Sequence, residues 1–147
     1  MNDQAIFLTI EGKPTPWASH AGFGKYSYNK RGKEKAAAII QIKSQYKGPL
    51  LTCPIVLVFS FHMPIPKQTS KVKRKNMIEL TLHHMKKPDV SNMIKFLEDC
   101  LKKTVFEDDN QVYEIVARKV YSEQPRSEII VYPNRGNYYD REESKTC

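Results

Sequence analysis

The chain has 147 residues, enough to bury a core of one domain and too few for two independent ones. Its 24 Lys and Arg outnumber 16 Asp and Glu, a formal net charge of +8 that favours a polyanionic partner, nucleic acid being the commonest. The three cysteines, Cys53, Cys100 and Cys147, match neither a disulfide framework nor a paired zinc motif. With no apolar leader and no run near the roughly 20 apolar residues of a bilayer span, a soluble, cytoplasmic protein without membrane partners is expected.

Residues 6–10 alternate β-branched and aromatic side chains as a strand does, and Gly12, Pro14 and Pro16 stop it. An irregular loop follows to about Gly32, carrying Trp17, His20, Phe23, Tyr26 and Tyr28 among glycines and lysines. Its rings can stack on bases or pack on the core. Ala37, Ala38, Ile40 and Ile42 recur near helical spacing over residues 34–46. Residues 54–63 are the most strand-like run, with Val56, Val58 and Phe61 suited to a buried central position. Ser70 then caps a short helix carrying Lys71, Lys73, Arg74 and Lys75, the densest basic run, to which Lys86 and Lys87 add. His83 and His84 have no zinc-like partner spacing and read as loop or strand residues. Two further strands, residues 112–121 and 128–132, are joined through a turn around residues 124–127. This order predicts an α+β domain over residues 1–133, helices on a mixed or antiparallel sheet, followed by a polar, mobile tail over 134–147.

The informative stretch is residues 87–111, KPDVSNMIKFLEDCLKKTVFEDDNQ. Pro88 disfavours a helical Lys87, so a helix begins around residues 89–92. At 100° per residue, Val90, Met93, Ile94, Leu97 and Leu101 share one face, and Asn92, Lys95 and Asp99 share another. Taken singly, Asp89 and Ser91 read as caps and Asp108 with Asp109 as a turn. Taken together, twin aspartates leading into a strand can meet Asp89 across a groove floored by the helix. Such a groove suits a hard divalent ion, which binds carboxylates, water and phosphate oxygens. Lys95 would neutralise charge building on a scissile phosphate.

These residues resemble the RusA-type Holliday junction resolvases, a family common in prophages. The family pattern is a P-D-x-D-N-x-x-K helix start, an Asp-x-Leu further on, and a D-D-x-Q turn into a strand. Pro88, Asp89, Asn92, Lys95, Asp99, Leu101, Asp108, Asp109 and Gln111 fall on it. The resemblance covers residues 64–133 well and the first 60 loosely. It implies a RusA-like fold and a homodimer with one active site per subunit. Mg²⁺ or Mn²⁺ would be the cofactor, and paired nicks in a four-way DNA junction the reaction. By that likeness Asp89 and Asp109 bind metal with Asp108 beside them, and Lys95 is the catalytic lysine. Lys71, Lys73, Arg74, Lys75, Lys86, Lys87 and Asn92 would contact DNA. Ser91 departs from the pattern, standing where the family usually has a second aspartate. A rival expectation is therefore a branched-DNA-binding module that no longer cleaves.

Overall fold

The computed structural model describes residues 4–26 and 28–134, so of the tail expected over 134–147 all but Asn134 lies outside the described residues. The first strand, β1 (Ile6–Glu11), buries Leu8 and Ile10 and leaves Phe7 exposed, the alternation expected of a half-covered sheet. The loop after it is irregular apart from a two-residue ladder between β2 (His20–Ala21) and β3 (Tyr28–Asn29). Helix α1 (Gly32–Gln45) buries Ala38 and Ile42 against β1 and the later helix of the central stretch.

Strand β4 (Ile55–Pro64) explains the architecture. Ile55, Leu57, Phe59, Phe61 and Met63 are buried on one face, and Val56, Val58, Ser60 and His62 are half-buried on the other. The helices therefore cover a single face of the sheet. A short helix, α2 (Lys71–Ile78), is capped by Ser70, whose hydroxyl accepts from the Lys73 amide, and is pinned by buried Met77. Helix α3 (Val90–Leu101) buries Met93, Phe96, Leu97, Cys100 and Leu101, a wider stripe than the periodicity assigned because Phe96 and Cys100 also turn inward. Val105 and Phe106 complete this core, and Phe106 bridges to Leu51.

The last strands, β5 (Val112–Ser122) and β6 (Arg126–Pro133), are consecutive but do not pair. The sheet order is β1-β6-β4-β5, with β4 antiparallel to β6 and parallel to β5, a mixed sheet. The three-residue connection, residues 123–125, therefore steps over β4. Burial explains the placement: β4 and β6 carry the inward apolar rows, whereas β5 holds Glu114, Arg118 and Lys119 and tolerates an edge.

Candidate active site

Helix α3 organises the site because the charged groups gather at its two ends. At the start, Asp89 occupies the N-cap with extended backbone, φ −69° and ψ 145°. Its carboxylate makes no capping hydrogen bond and is exposed. The cap reading of this side chain thus fails, and the acid stays available to a ligand. The peptide before it is held from β5: the Lys119 amine donates to the Lys86 carbonyl at 2.6 Å and the Pro88 carbonyl at 3.0 Å. Lys119 and its neighbours on the inward row of β5 thereby fix where the motif starts.

Two lysines flank this end, Lys87 before the helix and Lys95 on it. The Lys95 amine lies 3.6 Å from the centre of the Trp17 ring, a cation–π contact, and forms no ion pair among the described residues. The Trp17 amide also donates to the Asn92 carbonyl at 2.9 Å, so the segment after Pro16 is laced onto the first turns of α3. A cleft of about 440 Å³ lies between residues 13–16, Arg31, Glu34, Lys87 and Pro88, the residue before Asp89, and within it Arg31 faces Glu34 at 3.6 Å. Lys71 and Lys73 on α2 are exposed and form no ion pair among the described residues. Arg74 is held by Glu123 at 3.0 Å, and Lys75 faces Glu79 at 3.9 Å.

The other end of α3 is acidic. Asp108 caps the turn Asp109–Gln111: its carboxylate accepts from the Asn110 amide, and the Gln111 side chain accepts from the Asp108 amide at 2.7 Å. Gln111 also donates to the carbonyls of Leu51 and Cys53, both at 2.9 Å, tying the turn to the segment leading into β4. The Lys102 amine sits 3.5 Å from both Asp108 and Asp109. A hydrogen bond with Asp109, together with the Asn110 amide and Lys102, holds the Asp108 carboxyl below its ordinary range. Desolvation would lower the Lys102 ammonium, but the two carboxylates outweigh it and raise it. Glu98 is pushed up, first by burial and then by the charges of Asp109 and Asp99.

The two acidic groups therefore do not meet within one chain. Asp89 precedes a helix of 12 residues and Lys102 follows it, a span of about 18 Å at 1.5 Å per residue. Among the described residues no group of three or more His, Cys, Asp or Glu side chains could hold a metal ion. This corrects the expected groove, in which Asp89 met Asp108 and Asp109 across the helix. The reason is that α3 runs straight between them and the turn returns to its far end. Ser91, two residues after Asp89, is exposed and supplies no substitute acid. His83 is exposed, and His84 packs its ring 4.8 Å from that of Tyr121, so neither is a ligand among the described residues.

Lys119, Lys102, Lys13 and Arg31 were not singled out from the sequence. Their partners lie far along the chain or on another element, so spacing carries no signal for them. Trp17 was visible as an aromatic in a basic loop, but its contact with Lys95 was not.

No helix among the described residues is long and apolar enough to cross a membrane. The chain is similar to the uncharacterized protein YqaN of Bacillus subtilis (strain 168), 29% identical over 134 residues that span 86% of this chain and 94% of that one. The family model for endodeoxyribonuclease RusA matches residues 11–132, which include β4, β5, α3 and the aspartates at its two ends. The chain belongs to the RusA endodeoxyribonuclease family.

Proposed function

We propose that this protein resolves four-way DNA junctions by paired nicks, as a homodimer that uses Mg²⁺ or, in its place, Mn²⁺. The observation that carries this reading is Asp89: an exposed carboxylate at the start of α3 that makes no capping bond, with Lys87 two residues before it and Lys95 six residues on along the helix. A carboxylate in a basic surface suits a site that must hold a cation and a phosphate together. When bound, a divalent ion supplies an activated water and stabilises charge on the phosphate. Asp89 would be the side chain to hold it; Asp108 and Asp109, at the other end of α3, would not reach the same ion within one chain.

Lys95 is the residue for the phosphate charge, since among the described residues it rests on an aromatic face and forms no ion pair. Lys71, Lys73, Lys86 and Lys87, all exposed, would grip backbone phosphates with Asn92 nearby. Arg74 and Lys75 contribute less because acids already engage them. Each phosphate neutralised should steepen the salt dependence of binding by about 0.9 in the log–log slope.

The test is cleavage of labelled four-way junction, duplex and single-stranded DNA with and without Mg²⁺. Symmetric nicks confined to the junction support the reading. Asp89→Asn should abolish cutting while leaving junction binding intact or tighter, because it removes a negative charge from a phosphate-facing surface. Equal loss of both would make Asp89 a structural residue. Ser91 favours the second reading, a junction-binding module without cleavage, because a hydroxyl is a neutral and poorer ligand than the acid usual there. Ser91→Asp should raise the cutting rate; binding with no cut in either metal, in wild type and variant alike, would establish the module.

A further inference from the structure

Lys95 has two acids within reach along its own helix: Glu98 three residues on and Asp99 four residues on, the separations at which helical side chains meet. It forms an ion pair with neither. Other lysines with a comparable neighbour take it: Lys75 faces Glu79 at 3.9 Å and Lys103 faces Glu107 at 3.6 Å, each pair four residues apart. Lys95 turns instead to the Trp17 ring, 3.6 Å from its centre. The negative face of an indole attracts an ammonium, and the competing exposed pair has its lysine before its acid, the poorer order on a helix.

The ring is placed independently of the lysine. Trp17 follows Pro14 and Pro16, whose pyrrolidines restrict the backbone, and Pro14 is buried. Both ends of this segment are tied down: the Gly12 amide donates to the Pro125 carbonyl at 3.2 Å, and the Trp17 amide to the Asn92 carbonyl at 2.9 Å. Asn92 precedes Lys95 by three residues, so the backbone anchor and the ammonium lie along one side of α3. The indole is half-buried and packs against the core. It is the fixed surface, and the flexible four-carbon stem of the lysine is the part that adjusts.

The kind of partner matters for chemistry. A carboxylate would cancel the charge of the ammonium. A neutral ring fixes its position and leaves the full positive charge, and because Lys95 is exposed its remaining N–H donors stay open to an anion. We infer that Trp17 is the positioning residue of Lys95: its ring holds the ammonium off Glu98 and Asp99 and presents it, uncancelled, to a phosphate. This rests on the resolvase reading for what the lysine meets, though not for the contact itself.

Because Trp17 is the only tryptophan, a fluorinated analogue supplied during synthesis of the full chain alters this ring alone. Ring fluorines drain the negative face and change the shape little, so packing is kept while the hold on the ammonium weakens. With one, two and three fluorines, kcat on a four-way junction should fall stepwise, about two- to five-fold across the series, while the junction Kd stays within about two-fold. If wild type cuts and fluorination leaves kcat unchanged, the positioning role is overturned and the resolvase reading stands. A Kd that rises as steeply as kcat falls also overturns it, making Trp17 a direct DNA contact. If wild type cuts no junction, the resolvase reading has failed, and proton NMR of the free protein judges the contact alone. The Lys95 ε-methylene signal, identified by its loss in Lys95→Met, should lie upfield of the other lysines, as protons over a ring face do. In Trp17→Leu it should return to the ordinary lysine position. An ordinary position in wild type overturns the inference whatever the cutting assay gives.

Discussion

Lys119→Met removes one amine and leaves the aliphatic stem that packs on the inward face of β5. The lost bonds are those to the carbonyls of Lys86 at 2.6 Å and Pro88 at 3.0 Å. Hydrogen bonds from a charged donor are each worth about 1.5–3 kcal/mol when sequestered. Lys86 is exposed, so water replaces the bond to its carbonyl and little is lost there. Pro88 is half-buried, so the second bond is replaced poorly. The net cost is about 1–2 kcal/mol, a lowering of the urea midpoint with the slope unchanged. The larger effect is on cutting. Asp89 follows Pro88 directly, and a misplacement of about 1 Å at a reacting group can cost on the order of 100-fold in rate. Cutting of a four-way junction should therefore fall more steeply than junction binding. A variant with wild-type urea midpoint and wild-type cutting would refute the role given to Lys119. A variant that loses binding and cutting in parallel would make it a phosphate contact instead.

Trp17 is the only tryptophan, so its fluorescence reports on Lys95 directly. Emission should change when junction DNA draws the amine to phosphate, and Lys95→Met should remove that change; an unaltered spectrum on saturation refutes a phosphate role for Lys95. Cys100 is 0% exposed and burial pushes its thiol up to about 12. It should resist thiol reagents at pH 8 in the folded protein and react on unfolding, as mass spectrometry of labelled Cys100 would read. Burial, then the charge of Lys119, lowers the His84 pKa from 6.5. Its neutral form is favoured by folding, so the contribution is complete above about pH 6.5 and is lost as pH falls through the lowered folded value. His84→Phe should flatten the loss of thermal stability between pH 6.5 and 5, and an unchanged profile would count against it.

How far the fold could be read from sequence depended on whether a signal was local. Ser70 caps α2 because the donor it satisfies is three residues away, and β4 declares its burial through its own alternation. The pairing of β5 was not readable in the same way. A three-residue connection between two strands ordinarily makes them neighbours, but β4 has the stronger claim to the centre, with buried side chains at every second position. The decision belongs to the competition among strands for buried places, which no single strand encodes. Likewise Phe96 and Cys100 face inward because α3 packs against both α1 and the sheet, a wider contact than one stripe of a helix needs.

The candidate site divides along the same line. Asp89, Lys95, Asp108 and Asp109 were identifiable because their types and spacing are those of carboxylate and phosphate chemistry. Their arrangement was not, since spacing along a chain does not say whether two acids share a side of a helix or its opposite ends. Here 12 helical residues stand between them, and a straight helix cannot be shortened to bring them together. Separation of that kind is fixed by local hydrogen bonding and is insensitive to loop adjustment: Asp108 is locked by its capping box, and the Asp89 peptide by Lys119. The same rigidity makes the two halves separable by mutation. A change at Lys102 should disturb only the acidic turn, leaving the Asp89 cleft and its DNA contacts as they are.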